Sequence, residues 1–118
     1  MKNDICCSEN IFNKKEFLAL IDDNIDLYNE LIIDFRKSFN ELFDKLKSSF
    51  KENNFEQIIF YSHTIKGMSI NIRAAGIKQI AENIELFSKT NSDIKKIECN
   101  ILALENAYNE FLSILDKD

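Results

Sequence analysis

The sequence predicts an all-α fold, an antiparallel up-down four-helix bundle with a short extra helix at the N-terminus. The chain has 118 residues, enough for one domain, and contains only two glycines and no proline. Folds rich in strands need many turns, which glycine and proline usually make. Apolar residues recur at spacings of three and four along most of the chain, which is the period of an amphipathic helix and not of a strand.

The first two helices are predicted from this spacing. A short helix is expected from about Lys14 to Asp22, after a lead-in over residues 1–13, and a single domain spans 14–118. The longest pattern predicts a helix from about Ile25 to Lys51, with Asn24 as its N-cap. The apolar face of that helix is predicted to consist of Tyr28, Leu31, Ile32, Phe35, Phe39, Leu42, Phe43, Leu46 and Phe50.

Three further helices follow, separated by short breaks. Asn54 and Gln57 resemble a capping box at the start of a helix from about Phe55 to Ile70, and an interruption follows at 71–75. Ser92 is the expected N-cap of the last helix. The predicted buried positions of the three helices are Phe55, Ile58, Ser62, Ile65, Ser69 and Ile72; then Ile77, Ile80, Ala81, Ile84, Phe87 and Ser88; then Ile94, Ile97, Ile101, Leu104, Tyr108, Phe111 and Leu115.

Composition argues against several classes of function. The net charge is −5, and nucleic acid is not expected as a ligand because phosphate backbones are bound by basic surfaces. The longest apolar run, Phe17 to Ile21, is far shorter than the roughly 20 residues of a membrane span, so a cytoplasmic protein without a membrane segment is expected. Cys6, Cys7 and Cys99 form no CxxC motif, and with a single histidine the chain is not expected to bind a metal.

The single histidine, His63, is a candidate because a bundle has no need of it. It lies on the flank of the helix over 55–70, away from the apolar stripe. Lys66 is its neighbour on the helix surface, where an ammonium can hold a phosphate oxygen. Gly67 costs about 1 kcal/mol relative to alanine within a helix, and it faces away from the stripe, so it predicts clearance for another molecule. The alternatives are an incidental surface histidine, a solvated lysine, and a glycine that serves a kink or tight packing.

Apolar side chains are also predicted on this exposed flank. Ile59, Phe60 and Ile70 lie near His63 and Gly67 on the same helix. An exposed apolar cluster of this kind indicates a contact surface. The alternative for Phe60 is packing against the N-terminal segment.

The segment from His63 to Ile72, which reads HTIKGMSINI, resembles the signature of histidine-containing phosphotransfer (HPt) domains. These domains carry His-x-x-Lys-Gly and, four residues on, an Asn-aliphatic pair. The next helix is similar to the family's Leu-x-x-Leu-Ala-x-x-Leu-Glu, with Ile77, Ile80, Ala81, Ile84 and Glu85. The resemblance covers residues 14–115. One departure is Arg73, where the family usually has a glycine; Gly76 follows, and the turn is expected to differ in detail.

The resemblance implies a phosphocarrier of two-component phosphorelays. His63 would accept a phosphoryl group and relay it between receiver-domain aspartates, with Glu85 fixing the tautomer of its ring. Lys66 and Gly67 complete the implied catalytic set. The expected partner-binding residues are Ile59, Phe60, Ile70 and Arg73. Receiver domains of response regulators or hybrid histidine kinases are the implied partners, and they bring the Mg²⁺, so no cofactor of its own is expected.

Two alternatives stay open beside this interpretation. The chain has no nucleotide-binding motif, so it is not expected to be a kinase or any other enzyme by itself. A helical adaptor without phosphotransfer would show the same periodicity, but it would have no use for Gly67. A phosphotransfer domain of a chemotaxis-type histidine kinase is the second alternative. Such domains are normally fused to further modules, so a stand-alone carrier is expected.

Overall fold

A computed structural model describes residues 11–90 and 93–116 of the chain. These residues form helices and no strand. The helices are α1 (Lys14–Leu20), α2 (Ile25–Lys51), α3 (Phe55–Asn71), α4 (Ala75–Lys89) and α5 (Ile94–Leu115). The predicted all-α class is therefore confirmed, and the helices lie close to their predicted bounds.

Asparagine and aspartate side chains begin four of these helices. Each accepts a hydrogen bond from a backbone N–H of the first turn, which otherwise has no partner. The N-caps are Asn13, Asn24, Asn54 and Asp93. The prediction for Asn24 is confirmed, whereas Ser92 lies outside the described residues and Asp93 caps α5. The predicted capping box is only half formed, because the Gln57 side chain accepts from a serine hydroxyl of α2.

The break between α3 and α4 contains Arg73, where the resembling family usually has a glycine. Arg73 has a φ of 62°, in the left-handed region that favours glycine. Its N–H donates to the Ile70 carbonyl at 3.1 Å, and the Ala74 N–H donates to the Ser69 carbonyl at 2.8 Å. These are the two hydrogen bonds of a Schellman motif. The turn therefore has the geometry that a glycine would give, with an arginine in the left-handed position.

The helices enclose one apolar core. α3 packs against both α2 and α4, and α4 packs against α5. Aromatic rings connect α2 to α5, with Phe39 stacked on Tyr108 at 3.9 Å between centroids and Phe35 edge-on to Phe111 at 5.2 Å. Because short connections join consecutive packed helices, neighbours run in opposite directions. The predicted antiparallel four-helix bundle is thus confirmed.

All predicted core positions except one are buried or half-buried in the structure. The first residue of α5, Ile94, is 41% exposed, so its assignment to the core is wrong. Within the predicted lead-in, Ile11 and Phe12 are buried, and the centroid of the Phe12 ring lies 5.0 Å from the centroid of the Phe111 ring. Residues 1–10 of the lead-in lie outside the described part. No helix in the described ranges is long and apolar enough to cross a membrane.

Candidate functional site

His63 lies in the middle of α3 with its ring at the surface. The buried positions of α3 include Ile58, Ser62, Ile65 and Ser69, which place the histidine on the other side of the helix. Its side chain is 64% exposed. The predicted position of His63, off the core face, is confirmed, and another protein can reach its ring.

Glu85 of α4 is the closest polar partner of this histidine. Its carboxylate is buried, with 6% of the side chain exposed, and its Oε2 lies 3.0 Å from His63 Nδ1. Burial raises the pKa of the Glu85 carboxyl, but contacts with Lys66, Lys89 and His63 outweigh it, and the net pKa lies below the ordinary value of 4.5. Glu85 is therefore ionised at neutral pH.

The contact between Glu85 and His63 determines which ring nitrogen is available. An ionised carboxylate accepts hydrogen bonds and donates none, so the proton of the contact belongs to Nδ1 of His63. In the neutral ring, Nε2 then carries a free lone pair. The contact thus leaves Nε2 as the ring nitrogen with an available lone pair, on a side chain that is 64% exposed.

Two lysines lie against the same carboxylate. Lys66 Nζ is 3.0 Å from Oε1 of Glu85, and Lys89 Nζ is 3.0 Å from Oε2. The sequence predicts that Lys66 lies beside His63 on the helix surface, but it does not predict the ion pair between Lys66 and Glu85 of α4. Lys89 was missed altogether. Its signal is the spacing of four residues from Glu85, which puts both side chains on one side of α4.

Gly67 leaves open space one turn beyond His63. A Cβ built at Gly67 would meet nothing within 4 Å. Tight packing, one alternative for this glycine, is therefore wrong. The vacant volume adjoins the exposed face of α3, where the histidine ring lies, and this agrees with the predicted clearance.

Apolar side chains surround this face. Phe60 is 62% exposed and Ile70 is 49% exposed, while Ile59 is half-buried. The Phe60 ring lies edge-on to its neighbour Tyr61, with 5.3 Å between centroids. Packing of Phe60 against the N-terminal segment is not seen among the described residues. Arg73 is exposed in the turn that ends α3, so the expected partner-binding residues all lie on α3 or directly after it.

Chemistry-bearing side chains also lie outside the site around His63 in the part of the chain that the structure describes. No group of three or more His, Cys, Asp or Glu side chains among residues 11–90 and 93–116 is placed to hold a metal ion. Cys99 is an exposed free thiol on α5, whereas Cys6 and Cys7 lie outside the described residues.

The fold and the site define a helical bundle that presents one oriented, accessible histidine, which is the arrangement of a phosphotransfer module. The family model of the Hpt domain matches residues 30–113, and the chain belongs to this family. Membership implies a histidine phosphotransfer function in phosphorelays. Hpt domains are phosphocarriers rather than catalysts, and they interact with receiver domains of two-component systems. Comparison with curated proteins and with solved structures gave no significant match.

Proposed function

We propose that this chain is a phosphocarrier that takes a phosphoryl group on Nε2 of His63 and passes it to an aspartate of a receiver domain. The observation that carries the proposal is the 3.0 Å contact between Nδ1 of His63 and the buried Glu85 carboxylate. It gives an exposed ring a defined tautomer, which an incidental surface histidine has no need of. Family membership supports the same reaction class.

The transfer step requires little from the carrier beyond an oriented nucleophile. The Nε2 lone pair of His63 attacks the phosphorus of an aspartyl phosphate on the receiver. An N–P bond forms while the P–O bond to the aspartate breaks, and the carboxylate leaves with the electron pair. The proton stays on Nδ1, so the ring becomes positively charged opposite Glu85. In the reverse reaction, the aspartate of a second receiver attacks the phosphorus, the N–P bond breaks, and the phosphoryl group passes to that receiver.

Lys66 and Gly67 have separate roles in this proposal. Lys66 is next to His63 on the helix surface, and its ammonium approaches the phosphoryl oxygens as a point charge. Gly67 provides the room in which the phosphoryl group and the receiver come close to the ring. The Mg²⁺ that neutralises the transferred group belongs to the receiver.

The receiver is proposed to dock on the apolar patch formed by Ile59, Phe60 and Ile70, with Arg73 at its edge. A carrier has to release one partner before it meets the next, so a small interface, below about 1,200 Å² in total, is expected. Exposed apolar side chains next to the reacting nitrogen supply a desolvated centre for such an interface. Response regulators and hybrid histidine kinases are the proposed sources of the receiver, and the proposed place of the transfer is the cytoplasm.

The experiment is an incubation with phosphorylated receiver domains, followed by detection of acid-labile, base-stable label on this protein. His63→Gln serves as the test variant, because the side chain is off the core and the fold should survive. We expect label on the wild type and none on the variant, with equal melting curves. Label on His63→Gln, or none on the wild type from any receiver of the same organism, would contradict the proposal.

A further inference from the structure

The Glu85 carboxylate has more cationic partners than the proposed transfer step uses. Its Oε2 faces both His63 Nδ1 and Lys89 Nζ at 3.0 Å, while Oε1 faces Lys66 Nζ at 3.0 Å. Lys89 follows Glu85 by one turn of α4 and is 53% exposed. Its presence on the buried carboxylate therefore calls for a separate reason.

One reason is the charge of the cluster. With a neutral imidazole, the two lysines and Glu85 together carry one positive charge. Transfer adds about −2 on the phosphoryl group and one positive charge on the ring. The phosphorylated cluster is then close to neutral. Without Lys89 it would carry a net negative charge beside a carboxylate that is almost wholly buried, which is unfavourable.

A second reason is the competing demand on Lys66. The ammonium of Lys66 lies against Oε1 of Glu85, yet the same group is the one proposed to approach the phosphoryl oxygens. Among the described residues Lys66 is the one cation on Oε1, so its turn toward the phosphoryl oxygens would take away the ionic partner of that oxygen and leave the two contacts on Oε2 in place.

We propose that Lys89 is a positioning residue, which holds the Glu85 carboxylate against Nδ1 of His63 while Lys66 turns to the phosphoryl group. The inference rests on the proposed function. Lys89 and His63 share one carboxylate oxygen, Oε2, so the oxygen that Lys66 leaves is the other one. The departure of Lys66 then leaves the hydrogen bond to the ring intact.

The kinetic test compares Lys89→Met with a matched control on the same helix. Lys78 also forms an ion pair with a glutamate four residues away, Glu82, at 3.4 Å, and no hydrogen bond or ion pair joins either of these described residues to His63 or Glu85. Because a charge-assisted contact is lost at a half-exposed site, we expect transfer from a phosphorylated receiver to slow about three- to tenfold in Lys89→Met. Lys78→Met should match the wild type, and Lys89→Arg should restore the rate. Equal rates for the two methionine variants would overturn the inference.

The second readout reports the ring itself and needs no receiver. In a Lys66→Ala background, which imitates the departure of Lys66, ¹⁵N spectra of His63 give the fraction of the Nδ1–H tautomer. Adding Lys89→Met should lower this fraction, whereas adding Lys78→Met should not. An unchanged tautomer would overturn the inference even if transfer were slower, because Lys89 would then act on the receiver. A wild type that accepts no label would refute the proposed function, and the tautomer measurement would still decide the role of Lys89.

Discussion

Replacing Arg73 with glycine should stabilise the bundle. The φ of 62° places Arg73 in the left-handed region, which costs a residue with a side chain about 1–2 kcal/mol. Glycine avoids this cost, but it loses more backbone entropy on folding, by about 0.5–1 kcal/mol. The midpoints of the two ranges differ by about 0.75 kcal/mol, and the free energy of unfolding should rise by about that amount. For a domain of this size, the thermal midpoint should increase by about 2–4 °C.

The matched control for this prediction is Asn53→Gly. Asn53 has a φ of 55° in the break after α2, where its N–H donates to the Phe50 carbonyl at 3.1 Å. Asparagine tolerates the left-handed region through local hydrogen bonding, so glycine should gain little there. Unfolding curves by circular dichroism measure both variants. An equal gain for Asn53→Gly, or none for Arg73→Gly, would refute the argument from backbone strain.

The same Arg73 variant also tests docking. If Arg73 contacts the receiver, Arg73→Gly should slow transfer although the protein is more stable. Stability and transfer would then change in opposite directions, which a simple folding defect does not produce. Normal transfer in Arg73→Gly would remove this residue from the partner-binding set.

Three other changes test the remaining parts of the site. Gly67→Gln should raise the free energy of unfolding by up to about 1 kcal/mol and block transfer, since a side chain fits there in the free protein; a lower midpoint with normal transfer would contradict this. Phe60→Ala should weaken transfer but lower the free energy of unfolding by far less than the roughly 3–5 kcal/mol that truncation of a buried phenylalanine costs. A large loss of stability with normal transfer would exclude docking at Phe60. The lowered pKa of Glu85 stabilises the fold above pH 4.5, and this contribution disappears as the pH falls through the folded-state pKa. As the pH falls below 4.5, the melting temperature of the wild type should therefore decrease more steeply than that of Glu85→Gln. Equal decreases in the two proteins would contradict the assignment of a lowered pKa to Glu85.

The helices could be predicted from the sequence because burial repeats along them. Each turn of α2 places another apolar residue on the same side, so the spacing of Ile32, Phe35 and Phe39 is enough to predict that they are buried. Ile94 breaks this rule, because it begins α5, where the described neighbours leave 41% of it exposed. Periodicity describes the helix and cannot say where the packed neighbour ends.

The site could be predicted only in part, because its contacts lie between helices. The motif around His63 is contiguous in α3, and a resemblance to a family is enough to mark it. The pairing of Lys66 with Glu85 depends on how closely α3 and α4 approach, which neither helix encodes alone. Lys89 depends in turn on the direction in which the Glu85 side chain leaves α4. In the same way, the sequence shows an arginine at position 73, where the family usually has a glycine. It does not show the positive φ of Arg73, which makes a side chain costly there.

A phosphocarrier has to accept and release its group with similar ease, and the position of Glu85 suits this requirement. Before transfer the carboxylate accepts a hydrogen bond from a neutral ring, and after transfer it faces a ring with one positive charge. The second interaction is stronger, so the carboxylate favours the phosphorylated form. In the proposed phosphorylated state Lys66 turns to the phosphoryl oxygens, and Lys89 stays on Glu85 and keeps its carboxylate against the charged ring. The two lysines and the buried carboxylate would thus balance the charge of the phosphohistidine, while the exposed ring stays within reach of the receiver that takes the group away.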